Sequence, residues 1–248
     1  MTDAHAHLDA CDEPAATLVE RARAAGVTRV VTIGTGIDSC RAALEIADAN
    51  DGVFAALGID PHQAATPEAG RVEELRELLA HPKAVAVGET GLDTVRRFAT
   101  PVEQRRLLDA HLALADELGL PVVIHNREAD EETAVALEPF RGTVVLHCFS
   151  SPGLVLVAVE RGYYVSFAGN ATYPGALHLR EASASVSVDR ILVETDSPYL
   201  APEPVRGRPN EPANVPHTVR ALAEACGVGA EQLAAATHAN AAAAFGLP

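Results

Sequence analysis

The stretch TDAHAHLDA, residues 2 to 10, sets His5 and His7 one residue apart, with Asp3 and Asp9 beside them. In an extended strand residues i and i+2 project to the same side, so both imidazoles would point together. Two neutral imidazoles so placed are half of a metal site. Further candidates follow at comparable positions: His62 just past ALGID, Glu89 closing AVAVGE, His125 closing PVVIH, His147 closing TVVLH and Asp196 closing RILVETD. Nitrogen and carboxylate donors without a thiolate suit zinc, manganese or a similar divalent ion, and such sets tend to keep coordination positions open for reaction. Each residue alone has a plainer reading. A single histidine after an apolar strand is more often a satisfied structural residue, and Glu89 or Asp196 alone could cap a turn. Brought to one place they read differently, because an unpaired buried carboxylate costs several kcal/mol and calls for cationic partners.

What would bring them together is an alternation that runs the length of the chain. RVVTIGT, VFAALGI, AVAVGE, PVVIH, TVVLH, YYVSFAG and RILVETD are short, nearly continuous apolar runs, as expected of parallel strands covered on both faces. With TDAHAH they make about eight. Between them lie helical stretches, best marked in TPVEQRRLLDAHLALADELGLP, where Thr100 is an N-cap, Pro101 sits at N1, Glu103 at N3, and Gly119 ends the helix. TPEAGRVEELRELL and SPGLVLVAVERG open on the same Thr/Ser-Pro signal. Eight βα units in 248 residues predict a (β/α)8 TIM barrel forming one domain over residues 1–248. No GxGxxG follows the first strand, which argues against a doubly wound sheet. In such a barrel the strand ends open onto one face, so the polar residues named above would converge there. The proline-rich stretch from Ser197 to His217 reads as a long loop over the mouth. His81, His111, His178, His217 and His238 fall outside the pattern and take structural or surface roles.

Composition narrows the partners. The formal charge is −15, from 19 basic and 34 acidic residues, which argues against a broad cationic surface binding nucleic acid by counterion release. A polyanionic substrate would need a local attractor, and bound divalent ions can supply one. Cys11, Cys40, Cys148 and Cys226 form no CxxC pair, so neither a disulfide framework nor a cysteine zinc site is indicated. No apolar run reaches the roughly 18 residues of a membrane span, and the start lacks a signal-peptide pattern, so the expected location is cytoplasmic. Nothing marks an obligate protein partner.

The motifs DAHAHLD, GIDPH, GETGLD, LPVVIHNREA, HCFSS, SFAGNATYP, ILVETDSPYLAP and RGRPNEPANVP occur in the order seen in the TatD family, which the chain resembles over nearly its whole length. The resemblance implies a metal-dependent, amidohydrolase-like β/α-barrel hydrolase, generally described as a deoxyribonuclease. By position it makes His5 and His7 ligands of one metal, Glu89 a carboxylate shared between two, and His125 and His147 ligands of the second. Asp196 would bind metal and accept a proton from the attacking water, and His62 would face the phosphate or leaving group. Five positions depart from commoner family residues: Asp60, Thr94, Asn126, Glu128 and Ser151. None is a proposed ligand; they bear on the substrate pocket.

The reaction implied is hydrolysis of DNA phosphodiester bonds assisted by two divalent ions, Mg²⁺, Mn²⁺ or Zn²⁺. Phosphate oxygens also need donors, and Arg127, Arg206 and Arg208 stand near the presumed mouth, with Arg127 and Arg206 the first candidates. An aromatic content of 4% with no tryptophan argues against an extended stacking platform and for a single strand's end or a short oligomer. Two alternatives use the same residues. One is an esterase, lactonase or aminoacyl-ester hydrolase with the same metals, and the other a non-catalytic barrel stabilised by its ion.

Overall fold

Each apolar run becomes a short parallel strand in the computed structural model, which describes residues 1–248. The strands are β1 (Thr2–Ala6), β2 (Arg29–Gly34), β3 (Val53–Leu57), β4 (Ala84–Asp93), β5 (Val122–Arg127), β6 (Val144–Leu146), β7 (Tyr164–Phe167) and β8 (Ile191–Val193). They pair in sequence order, every neighbour parallel. Past the end of β8 the ring is joined to β1 by Asp196 N–H donating to His5 O (2.9 Å) and His7 N–H donating to Ser197 O (2.8 Å). The result is a nearly closed (β/α)8 barrel.

The helices lie outside: α1 (Ala15–Ala24), α2 (Ile37–Ala49), α3 (Val72–Leu79), α4 (Pro101–Leu118), α5 (Asp130–Ala136), α6 (Val155–Arg161), α7 (Leu177–Ser185), α8 (Val215–Cys226) and α9 (Ala230–Phe245). α4 starts and stops as its sequence predicts: Thr100 and Glu103 form a reciprocal capping box, and Gly119 ends the helix at φ 65°. The other two Thr/Ser-Pro signals open short 3₁₀ turns at Pro67–Gly70 and Pro152–Leu154, and the α-helices begin only at Val72 and Val155. At Ser151 the hydroxyl accepts from Asn126 Nδ2 (2.6 Å) and makes no cap bond.

Strand parity decides what the barrel encloses. Val31, Ile33, Val123, Val145 and Leu192 pack inside with Phe245 and Leu247, while Val30, Val122, Ile124, Val144, Ile191 and Val193 face the helices. Phe245 lies beneath the strand starts beside Val85, Val144 and Tyr164, so α9 closes the bottom of the barrel. Two residues above Val123 and Val145, on the same parity, come His125 and His147; Glu194 and Asp196 stand likewise above Leu192. No helix is long and apolar enough to cross a membrane.

Candidate metal centre at the barrel mouth

Glu89 sits inside β4, where the sequence places it at a strand end. The strand continues to Asp93, paired with Arg127 of β5, and its register shifts between Val87 and Thr90, so Glu89 lies at an irregularity in the ladder. The ladder is close there: a Cβ on Gly91, whose φ is +147°, would stand 1.9 Å from His125 O, so the approach of β4 to β5 requires glycine.

The two oxygens of Glu89 face different pairs of imidazoles. Oε2 is 3.4 Å from His5 Nε2 and 3.7 Å from His7 Nε2. Oε1 is 2.7 Å from His125 Nδ1 and 3.0 Å from His147 Nε2. Asp196 completes the first group, with Oδ1 at 3.3 Å from His7 Nε2 and 3.8 Å from His5 Nε2. Asp196 itself is held in the left-handed region at φ 55°, a conformation that places its carboxylate at the mouth and that few non-glycine residues adopt.

Nitrogen faces nitrogen within both groups, at 3.3 Å between His5 Nε2 and His7 Nε2 and 3.2 Å between His125 Nδ1 and His147 Nε2. A single N–H could bridge each pair as a hydrogen bond, and with both rings neutral and the proton on the far nitrogens a cation would take both lone pairs. The carboxylates have no Lys or Arg ion pair; their partners are all imidazoles. His5, Glu89 and His147; His5, His7 and Asp196; and His62, Asp93 and His125 each bring ligand atoms within 4.8 Å of one another. This donor set fits a divalent cation.

Electrostatics follows from burial set against charge pairing. Burial opposes ionising Glu89, but the charge of His147 and hydrogen bonds from His125, His147 and His5 hold its pKa well below the ordinary value. Burial likewise disfavours charge on Asp196, but the hydrogen bond from His7 together with the charges of His7, His5 and His147 outweighs it, so its pKa is also lowered. His5 is pushed down, first by burial and then by the neighbouring charge of His147. His147 is driven the other way: burial opposes its charge, yet Glu89 and Glu194 raise its pKa well above the usual one.

Two carboxylates behind the histidines were not singled out by sequence. Asp93 and Glu194, both fully buried, lie behind His125 and His147: Asp93 Oδ2 is 3.6 Å from His125 Nε2, and Glu194 Oε1 is 3.4 Å from His147 Nδ1. A carboxylate behind an imidazole fixes its tautomer and aims its other nitrogen. Asp93 also accepts from His62 Nε2 (2.9 Å), while Asp60 accepts from His62 Nδ1 (3.0 Å). Donating from both nitrogens requires both protons, and the hydrogen bond to Asp60 accordingly raises the pKa of His62. His62 thus stands beside the cluster, bonded to its edge through Asp93.

Asp3 works on the scaffold. It accepts from Thr195 N–H (2.9 Å) and Thr195 Oγ1 (2.6 Å), clamping β1 to the segment after β8. Arg127 is exposed at the end of β5. Arg206 lies over the Tyr173 ring at 4.1 Å with Glu203 3.7 Å away, and Arg208 is exposed in the same loop. None of the three arginines pairs with the carboxylates of the cluster. His111 is fully buried in α4, where Nδ1–H donates to Leu107 O and Nε2 accepts from Ile59 N–H.

Barrel and cluster together define a metal-dependent hydrolase. The family described as TatD related DNase matches residues 2–246, and the chain belongs to it. It is 44% identical over 260 residues to the uncharacterized metal-dependent hydrolase TatD of Mycobacterium tuberculosis, covering 100% of this chain and 98% of that protein. It is 37% identical over 239 residues to the 3'-5' ssDNA/RNA exonuclease TatD of Shigella flexneri, covering 93% and 92%. Among solved structures, the YJJV TatD homolog of Escherichia coli K12 superposes with a TM-score of 0.91 at 29% identity, covering 100% of this chain and 98% of that one.

Proposed function

We propose that this chain, acting as one hydrolase domain over residues 1–248, cleaves phosphodiester bonds of single-stranded DNA near a chain end. The observation that carries the reading is the division of Glu89, whose Oε2 faces His5 and His7 while Oε1 faces His125 and His147. In this reading His5, His7, Asp196 and Glu89 hold one divalent ion, and Glu89, His125 and His147 hold a second. Bound there, Mg²⁺, Mn²⁺ or Zn²⁺ would supply Lewis acidity to the phosphate and promote ionisation of water at neutral pH.

The chain's own groups then divide the remaining work. Asp196 is kept ionised by His7, and it accepts the proton of the attacking water. His62, donating to Asp60 and Asp93, presents a charged imidazole that neutralises a phosphate oxygen or the departing one. Arg127 and Arg206 flank the mouth as phosphate contacts. Support for nucleic acid over a carboxylic ester comes from the relative named as a 3'-5' ssDNA/RNA exonuclease.

The test is cleavage of 5'- and 3'-labelled single-stranded oligonucleotides across Mg²⁺, Mn²⁺ and Zn²⁺, run beside a panel of carboxylic esters and lactones. Wild-type protein should give a metal-dependent ladder, and Glu89→Ala should reduce it to background. Preference for the esters, or full activity of Glu89→Ala, would falsify the assignment.

A further inference from the structure

Beside His62 the mouth opens into a groove of about 840 Å³ between the β4–α4 loop and α5. Its apolar wall is unusual for an acidic surface: Phe98 is 64% exposed, Val135 59%, and Leu92, Ala99 and Pro101 continue the patch. The Phe98 and His62 rings stand perpendicular, centroids 5.6 Å apart and planes at 87°, and most of the Phe98 side chain remains open to solvent. Exposed aromatic rings that pack on one neighbour only are poised to receive another flat ring.

Charge around the groove is polarised. Arg97 lines it, held at φ 52° with Nε donating to Thr94 O (3.4 Å), and Arg127 lies across the same β4–β5 rim, where its carbonyl accepts from Thr94 N–H (3.1 Å). Arg105, further along, is paired with Asp109 (2.8 Å), whereas Arg97 and Arg127 carry no such ion pair. Glu131 and Glu132 line the groove from α5, and Glu103, which lines it from α4, is engaged in the cap with Thr100. A polyanionic strand would thus lie with its phosphates toward the arginine rim, away from α5. A flat apolar ring joined by a short linkage to an anion, the chemistry of a nucleotide, matches this arrangement of ring, cation and catalytic histidine.

We propose that Phe98 is a nucleobase platform: the base adjoining the phosphate under attack stacks on its exposed ring, while Arg97 and Arg127 take the neighbouring phosphate. This rests on the nuclease reading and extends it, since one ring beside His62 grips one base and reads no sequence. It also explains how a chain with 4% aromatic residues retains a single strand. Specificity then lies in the presence of a base and in its π-face.

The test compares two single-stranded oligonucleotides that differ only at the last 3' linkage, flanked by natural bases in one and by abasic residues in the other. With metal-loaded wild-type protein, kcat/KM should favour the natural substrate by about 5- to 150-fold, the usual value of one base–aromatic stack. In Phe98→Ala that ratio should fall toward one, and Phe98→Tyr should restore it. Phe98 is exposed, so its truncation opens no core. An undiminished ratio in Phe98→Ala, or no preference in the wild type, overturns the platform while leaving the nuclease reading intact. Wild-type protein that cuts neither oligonucleotide overturns the nuclease reading, and the platform with it.

Discussion

The imidazole of His147 lies flat against that of His5, with ring centroids 3.9 Å apart and planes within 7°. Two rings from β1 and β6 in van der Waals contact cannot both carry charge without strong repulsion, and their pKa values are driven apart, His5 down and His147 up. A metal ion binds the neutral imidazole, so with metal bound neither ring would need to carry a proton. The stack brings His5 and His147 together with Glu89 into one group of possible ligand atoms within 4.8 Å of one another.

Glu194 determines how His147 presents itself. With Oε1 3.4 Å from His147 Nδ1 and accepting from Cys148 N–H (2.8 Å), it fixes the ring from behind. Glu194→Gln keeps the shape and removes the charge. Metal affinity should fall by about 10- to 100-fold, the usual cost of losing such a supporting group, with the fold retained. Titration with a competing chelator checks this, and unchanged affinity would show that Glu194 serves only the Cys148 backbone.

Metal removal should also be visible in stability. A single ion that binds only the folded state at a hundred times its dissociation constant stabilises it by about 2.7 kcal/mol, and the second ion of the proposed pair would add to this. For a chain of this length 1 kcal/mol corresponds to about 2–4 °C in Tm. Chelation should therefore lower Tm by at least about 5–10 °C and leave the far-ultraviolet circular dichroism unchanged, because the core inside the barrel and the core beneath the helices involve none of these ligands. Unfolding on chelation would instead support the purely structural ion.

How much of this was legible in advance follows from parity and spacing. The seven apolar runs and TDAHAH mark all eight strands, and the two-residue period carries His125, His147 and Asp196 to the interior of the mouth. Asp93 and Glu194 were present in GETGLD and ILVETD with the same logic, four residues after Glu89 and two before Asp196. Sequence alone does not set them apart, because buried carboxylates resemble turn caps until their histidines are located. The register shift between Val87 and Thr90 left no periodic signal, so Glu89 was expected at a strand end. Ser151 before proline read as a helix cap, but a tertiary partner, Asn126, takes its hydroxyl. Arg206 reads from sequence only as a cation in the loop over the mouth; that its guanidinium lies over Tyr173 beside Glu203 is a tertiary arrangement no local pattern shows. Local patterns specify elements; long-range competition for a single polar atom does not appear in them.

His111 provides a test of the scaffold far from the cluster. Burial pushes its pKa down to about 4, so the folded chain keeps it neutral, with Nε2 accepting from Ile59 N–H (3.0 Å). In the unfolded chain an imidazole takes up a proton near pH 6.5. Below that value the unfolded state binds the extra proton, so this contribution to stability is complete above about pH 6.5 and is lost as pH falls toward 4. A shift of this size corresponds to about 3 kcal/mol. His111→Gln should be less stable than wild type by about 1–3 kcal/mol near pH 7, since Ile59 N–H loses its acceptor. That gap should narrow steadily toward pH 4, as only the wild type then faces the protonation penalty. Denaturant unfolding of both proteins at several pH values measures it, and a gap independent of pH would mean that His111 is not held neutral in the folded state.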